Sequence, residues 1–391
     1  MWSKARIWGG QLTIAKVPPR VLIWRERLLP ISETFISNHV RALKRWDPIL
    51  AGSRYVAPSL PIGEEGIALY GMHGPSSAMK AFNWRVTGRS RKLESHMQEW
   101  RPQLIHAHFG PDATYILPTA QRHSLPLIAT FHGADATSMK QGAMPSIYRS
   151  RLRLLFSRAA ALHAVSDFIA DQLVTLGAPP EKVTRMYIGI PCAGEPPAVQ
   201  SNNSVLFVGR LVEKKGLGDL LDAMSRLPDP LKRTPLHIIG DGPLKDAWRR
   251  DAENRGLKAT FHGAQPSDFV ARLMRECTVF CVPSRTASNG DSEGLGMVFL
   301  EAGLHSLPVV SYRHGGIPEA VSHGETGLLA PEGDIATLSQ HISLMLEQPD
   351  RATQFGIAAR TRVMRCFDIE RQISRLEDFY DQIVESSRHA G

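Results

Sequence analysis

Pro283-Ser-Arg-Thr-Ala-Ser-Asn-Gly-Asp-Ser-Glu-Gly-Leu-Gly-Met-Val-Phe-Leu-Glu301 is followed by Leu307-Pro-Val-Val-Ser311, His314-Gly-Gly-Ile-Pro-Glu319 and Gly327-Leu-Leu-Ala330. The apolar run just before it, Val279 to Val282, predicts a short strand that feeds a polar, glycine-containing loop. The loop opens a helix near Gly296 that ends around His305, and Pro308 to Ser311 predict the next strand. The result is a βαβ unit whose turn is aimed at a helix N-terminus. There, unsatisfied N–H groups and the macrodipole favour an anion. Two carboxylates bracket the turn, Glu293 in the loop and Glu301 inside the helix, eight positions apart.

A carboxylate is a poor phosphate ligand but a good acceptor for sugar hydroxyls. Amides that suit phosphate, flanked by acids that suit hydroxyls, fit a nucleotide sugar. On spacing alone the same pair also fits an exposed loop acid and a solvated helix acid. Taken in order, Glu-x7-Glu, Leu-Pro-Val-Val, His-Gly-Gly-Ile-Pro-Glu and Gly-Leu-Leu resemble the signature of family 4 of the retaining GT-B glycosyltransferases.

Working outward, 391 residues suit two domains better than one strained core. At 43 % hydrophobic and 21 % charged, the chain has ordinary globular composition. No apolar run reaches spanning length. Met1 to Gln11 is basic and Trp-containing without a signal-peptide apolar core, so a cytoplasmic protein is expected. Cys192, Cys277, Cys281 and Cys366 are scattered and complete no metal set, which reads as reduced, structural thiols. Charge is uneven: residues 1–195 carry 24 Lys+Arg against 13 Asp+Glu, while residues 196–391 carry 22 against 25. A basic first half suits a nucleic acid, an anionic membrane surface or a polyanionic substrate.

Along the chain, Val21-Leu-Ile-Trp24 predicts a first strand. Ser32 can then cap a helix bearing Phe35, Ile36, Val40 and Leu43. Ser32-Glu-Thr-Phe-Ile36 resembles the opening of the colanic-acid type, the exopolysaccharide branch of the same family. Lys80 to Arg101 interleaves Lys80, Arg85, Arg89, Arg91 and Lys92 with Phe82, Trp84 and Trp100. This reads as a solvated helix face or as a surface for anionic lipid headgroups. Leu104 to Gly110 is a strand ending in a turn, with His106 and His108 on one face. His-x-His invites a metal with His132 and His163 as further ligands, but a hydrogen-bonded pair lining a cleft is preferred. Leu127 to Asp135 is the next strand and exit loop, where Gly133 lets the backbone turn and present His132 and Asp135. Ser166 caps a helix from Asp167. Ala193 to Asn203 has linker composition, which places a first domain at 1–192, a second at 204–367 and a last helix at 368–391.

In the second half, Val205 to Leu217 repeats strand, glycine turn, basic residues and helix. Arg210 can fork onto a diphosphate and Lys215 adds a point charge. Leu236 to Pro243 and Thr260 to Gly263 are again strands with glycine-rich exits. The resemblance covers most of the chain and is strongest over 205–331. It implies an α/β GT-B fold of two Rossmann-like domains facing across a cleft. It also implies a hexosyltransferase using a UDP- or GDP-sugar, with retention, no metal and no cofactor. The implied donor site is Arg210, Lys215, Gly263, Glu293, Gly294, Leu295, Gly296, Met297, Val298 and Glu301. Arg210, Lys215, Glu293 and His132 serve the reaction, and His108 and Asp135 face the acceptor. That acceptor is expected to be a lipid-linked exopolysaccharide or oligosaccharide at the inner membrane face, with peripheral membrane contact as a hypothesis and no nucleic acid partner. A nucleotide-sugar epimerase of the same fold, or a non-catalytic nucleotide-sugar or nucleic-acid binding protein, are the alternatives.

Overall fold

Strands that are apolar on both faces, each followed by a helix or loop, assemble into two separate parallel sheets. The structure is a computed structural model and describes residues 17–28, 33–55, 66–71, 75–138, 146–192, 194 and 202–389. The first unit runs β1 (Arg20–Trp24), β2 (Arg27–Leu28), α1 (Thr34–Ala42), β3 (Asp47–Gly52), β4 (Arg54–Tyr55), β5 (Gly66–Ala68), α2 (Pro75–Thr87) and α3 (Arg91–Trp100). It continues with β6 (Leu104–His108), α4 (Gly110–Arg122), β7 (Leu127–Phe131), α5 (Ala134–Thr137), α6 (Ser146–Arg158), β8 (Ala161–Ala164), α7 (Asp167–Thr175) and β9 (Val183–Arg185). Its main sheet has the order β5-β3-β1-β6-β7-β8-β9, every pairing parallel. Alternation sorts its residues onto two faces. Leu22 and Trp24 join the core that holds Trp84, Trp100 and Ile116, while Val21 and Ile23 join Ile36, Ile373 and Tyr380 on the other face.

The second unit comprises β10 (Val205–Val208), α8 (Leu217–Ser225), β11 (Leu236–Ile239), α9 (Lys245–Asn254), β12 (Ala259–Gly263), α10 (Ser267–Glu276) and β13 (Val279–Cys281). Then come α11 (Met297–Leu304), β14 (Val309–Tyr312), α12 (Ile317–Ala320), β15 (Gly327–Ala330), α13 (Ile335–Glu347), α14 (Pro349–Cys366) and α15 (Ile369–His389). Its parallel sheet is ordered β12-β11-β10-β13-β14-β15. Both sheets therefore reverse direction beside their first strand, at β1/β6 and at β10/β13. These switch points are where open α/β sheets leave a crevice beyond the strand ends. Both units are Rossmann-like and the fold is α/β.

The last helix returns to the first sheet. Ile190 N–H bonds to Phe367 O at 2.8 Å, and Ile369 N–H bonds to Ile190 O at 3.0 Å. Glu377 of α15 then accepts from the backbone N–H groups of Lys44 (2.8 Å), Arg45 (2.5 Å) and Trp46 (3.1 Å).

Four local expectations change. The short strands β3, β5 and β9 went unread: β3 contains Pro48, and β5 and β9 have only three residues each, too few for a periodic signal. Ser32 lies outside the described residues; Glu33 is the N-cap of α1 and makes no side-chain cap bond. Lys80 to Arg101 is not one surface, because Gly88-Arg89-Ser90 divides it into α2 and α3 and both Trp84 and Trp100 are buried. His106 is fully buried and lines the same cavity as His108, but it bonds to Tyr380 and Thr130, not to His108. Cys277 and Cys281 are buried and free, as read, and no helix among the described residues is long and apolar enough to cross a membrane.

Candidate active site

Arg210 follows β10 directly and is exposed, with no ion pair among the described residues. Five residues on, a turn of 3-10 helix places Lys215, whose Nζ lies 2.5 Å from Glu293 Oε2. Gly216 ends that turn at φ +67°, and a Cβ there would sit 1.9 Å from Pro283 O, so only glycine lets the turn meet the exit of β13. Lys214 pairs with Asp291 at 3.0 Å, and the Arg285 N–H bonds to Lys214 O at 2.8 Å. The turn and the loop ahead of α11 thus form one tied body.

Glu293 is buried, and burial alone would raise its pKa. Lys215 and then Lys214 outweigh that and hold it down to about 2. Its backbone N–H donates to His314 Nε2 at 3.4 Å, and His314 Nδ1 lies 2.9 Å from Glu332, so the ring bridges the two segments. Gly315 and Gly316 lie against the backbone of Glu293 and Gly294, and a Cβ on either would come within 2.3 or 2.0 Å of a carbonyl oxygen.

Gly294, Leu295 and Gly296 are buried, while Met297 and Val298 begin α11, whose first amides have no intrahelical partner. Glu301, one turn into α11, is partly buried without a side-chain hydrogen bond among the described residues, and burial pushes its carboxyl up to about 7. Gly263 closes β12 at φ +71°, and its carbonyl accepts from Gly240 N–H at 2.8 Å. Of the residues expected from sequence, those on the turn after β10 and on the loop and helix after β13 lie at the β10/β13 switch point, whereas Gly263 ends the edge strand β12. Sequence reading missed Asp291, His314 and Glu332. Of these, His314 opens the His-Gly-Gly-Ile-Pro-Glu motif and Glu332 follows the Gly327–Ala330 strand, and that adjacency is the signal the sequence offers.

The facing half is built from the β6 and β7 exits. Asp135 is buried and spends its carboxylate on the N–H groups of Gly110, His132 and Gly133, at 3.0, 3.0 and 2.9 Å. Expected to meet the acceptor, it instead fixes the turn that carries His132. His132 packs between the rings of Phe35 and Phe109, with centroids 4.8 and 4.5 Å away. Its Nε2 lies 3.0 Å from Nδ1 of the buried His108. Burial depresses both imidazoles well below the usual range, so the pair is neutral and shares one proton. Whichever ring donates, one N–H and one lone pair remain, at His132 Nδ1 and His108 Nε2. Neither atom has a partner among the described residues, and a cavity of about 40 Å³ adjoins them.

Behind this pair runs a hydrogen-bond chain whose direction is fixed at one end. Met186 O can only accept, so His163 Nε2 carries the proton and His163 Nδ1 accepts from Thr130. Thr130 then accepts from His106 Nε2 at 2.5 Å, His106 Nδ1 accepts from Tyr380 Oη at 2.5 Å, and Tyr380 accepts from His39 at 3.2 Å. Burial keeps all three imidazoles neutral, with His39 near 3 and His163 near 4. His39, His106 and His108 stand close enough to suggest a metal. Both His106 nitrogens are already committed, however, so this donor set fits the chain better than an ion.

Sequence reading also missed the β1/β6 switch point. Arg25 forks onto Glu33 at 2.7 Å from Nε and 2.7 Å from Nη2, meets Asp112 at 2.5 Å, and lies 4.3 Å over the Phe109 ring. Burial raises the Asp112 carboxyl to about 6 despite Arg25. The two halves touch. Ser166 Oγ donates to Gly294 O at 2.6 Å, and Ser292 N–H donates to Thr137 Oγ1 at 3.1 Å. Glu319 accepts from the first amides of α7, Asp167 at 2.8 Å and Phe168 at 3.1 Å. A Cβ on Gly294 would lie 1.9 Å from His132 O, which brings the donor loop directly under the histidine turn.

Two family matches tile the chain. Residues 32–193 match Glycosyltransferase Family 4, and residues 195–362 match Glycosyl transferases group 1. WcaL of Salmonella typhimurium (strain LT2), a glycosyltransferase named for colanic acid biosynthesis, is 30 % identical over 319 residues, 78 % of this chain and 77 % of its own. The amylovoran biosynthesis glycosyltransferase AmsK of Erwinia amylovora is 29 % identical over 66 % of this chain and 64 % of its own. Glycogen synthase of Mycobacterium tuberculosis (strain H37Rv) is 30 % identical over 72 % of this chain and 68 % of its own. Among solved structures, sucrose-phosphate synthase from Thermosynechococcus elongatus superposes with a TM-score of 0.78 at 17 % identity, over 94 % of this chain and all of the other. Anabaena Alr3699/HepE, in complex with UDP and glucose, gives 0.72 at 17 %, over 93 % and 100 %. These neighbours establish a GT-B fold.

Proposed function

The chain belongs to the family 4, group 1 glycosyltransferases, and from that premise we propose that it transfers a hexose from a UDP- or GDP-sugar, with retention and without a metal ion, to a growing lipid-linked exopolysaccharide. The observation that carries the reading is the β10/β13 crevice. Lys215 meets Glu293 there beside the start of α11, Glu301 lies one turn on, the backbone of His132 lies against Gly294, and Arg210, two residues past β10, has no ion pair among the described residues. In this reading Glu301 accepts from ribose hydroxyls and Glu293 from hexose hydroxyls. Arg210, Lys215 and the amides of Gly294 to Val298 take the charge of the diphosphate as it leaves. His132 orients the sugar from across the cleft.

The bond from the anomeric carbon to the diphosphate oxygen breaks, and its electron pair leaves with the diphosphate. The acceptor hydroxyl oxygen bonds to the same face of that carbon, and its proton passes to a leaving phosphate oxygen. Two features support retention by this route and independence of metal. Glu293 is held as a salt bridge to Lys215, not as a free nucleophile. Asp291 and Glu293 are each neutralised by a lysine, so cations of the chain occupy the place a metal cage would take. The exopolysaccharide acceptor rests on the WcaL and AmsK relationships and on Glu33-Thr-Phe-Ile36 beside the cleft. Glycogen synthase at equal identity shows how far acceptors diverge in this family.

The test is a thermal-shift panel with UDP, GDP, ADP and their sugars, followed by nucleotide-release assays with and without lipid-linked acceptor. A ligand at about 100 times its Kd adds about 2.7 kcal/mol. A shift with one nucleotide class and acceptor-dependent release are expected. No shift with any nucleotide, or sugar interconversion without acceptor, would overturn the assignment in favour of a binding relic or an epimerase.

A further inference from the structure

Nine large apolar side chains are exposed among the described residues, and five of them belong to two helices, α2 and α6. On α2, Met79, Phe82 and Val86 are 69, 63 and 57 % exposed and fall at i, i+3 and i+7, one stripe of the helix. On α6, Ile147 and Leu154 are 66 and 46 % exposed and again lie seven apart. The two helices flank α4 on the same face of the sheet. Trp84 of α2 packs against the α4 residue Tyr115 at 6.1 Å, and Arg151 of α6 lies 5.8 Å from the same ring.

Charge follows the apolar stripes. Lys80, Arg89, Arg91 and Lys92 are exposed on and just after α2, and Arg149, Arg153 and Arg158 are exposed on α6. Residues 66–93 and 136–166 contain no Asp or Glu. Among the described residues, Glu26 is paired with Arg85 at 3.0 Å, Glu94 with Arg122 and His123, and Glu99 with His96. Exposed apolar side chains among cations that have no ion pair among the described residues match an anionic bilayer, whose headgroups meet the charges while the side chains enter the acyl boundary. A protein partner would want the apolar patch without so many unanswered positive charges at its centre.

We propose that α2 and α6 form a docking face for an anionic lipid surface. The face lies on the half of the molecule that carries His132, because α4 starts at the cleft with Gly110 N–H on Asp135. The proposal builds on the lipid-linked acceptor reading in its class of partner, yet it is measured without donor or acceptor. A failure of docking leaves transfer standing, and a failure of transfer leaves docking standing.

The experiment is co-sedimentation of the full chain with vesicles of phosphatidylcholine alone or mixed with phosphatidylglycerol. Binding to the mixed vesicles, absent with neutral ones and weakened by salt, is expected. The double variant Arg149→Glu/Arg153→Glu should lose well over tenfold in partitioning, at roughly fivefold or more per charge altered, and Met79→Ser/Phe82→Ser should lose about tenfold. Both variants should retain the wild-type melting temperature and nucleotide shift. Wild-type protein that stays in the supernatant, variants that bind equally, or tighter binding to RNA than to mixed vesicles would each overturn the proposal. A lipid-free dimer broken by Phe82→Ser would reassign the face to a second copy of the chain.

Discussion

At the β10/β13 switch point Arg210 stands exposed, Lys215 is salt-bridged to Glu293, and neither Arg210 nor Glu301 has a side-chain partner among the described residues. At the β1/β6 switch point, built on the same strand order, Arg25 is shared between two buried acids and the neighbouring imidazoles are neutral. One crevice pairs its lysines with acids but leaves Arg210 uncommitted among the described residues, whereas the other commits its arginine to two acids. Charge held in reserve suits a ligand that brings its own charge, such as a diphosphate. A self-neutralised crevice lined by Phe35, Phe109 and His132 suits hydroxyl groups, which exchange hydrogen bonds without requiring a counter-ion. On the proposed reading, two halves that topology makes equivalent would take opposite tasks.

The largest test of that division is Lys215→Ala. It should lower transfer by about 10³-fold through lost stabilisation of the leaving charge, with the fold retained. Rapid-quench turnover and circular dichroism read both, and near-wild-type turnover would break the comparison. Arg25→Met should do the reverse. It strands Glu33 and Asp112 and should cost about 3 kcal/mol of stability in denaturant melts, while leaving the affinity for nucleotide unchanged. A large loss of nucleotide affinity would show that the first crevice holds charge for the donor after all.

A smaller effect is expected at His108. His108→Phe removes the partner that shares a proton with His132 and should lower kcat about tenfold with little change in KM. His108→Gln, which can still hydrogen-bond, should recover part of it. The smallest is a pH effect. Glu301 is pushed up to about 7 by burial, so its ionised form, the form that accepts hydroxyls, is lost as pH falls below that value. Calorimetry should show nucleotide-sugar affinity declining by up to about tenfold per pH unit there, and the decline should vanish in Glu301→Gln. The linked stability change has the opposite sign. A carboxyl whose folded pKa is raised destabilises the fold only when ionised, so Glu301→Gln should gain stability above pH ~7 and gain nothing below ~4.5.

Much of the donor crevice was legible in the sequence because its parts are local. The turn after β10 and the run from Glu293 to Glu301 carry their chemistry within short spans. Glycines mark the places where backbones must approach closely, such as Gly216 against Pro283 O and Gly294 against His132 O. The other crevice was only half legible. His132 and Asp135 were singled out, but Asp135 proved to hold amides, a distinction set by which way a buried carboxylate turns.

The sequence by itself determined the fold class and the family, because strand periodicity and motif order survive without contacts. Only the tertiary structure decided that His106 joins a directed chain to Tyr380, 274 positions away, and that Glu377 caps the segment from Lys44 to Trp46 across more than 330 positions. It alone decided that Arg25 would be neutralised while Arg210 would not. Burial and hydrogen-bond direction are properties of the assembled surroundings. A residue's charge state and availability follow from neighbours that chain order does not name.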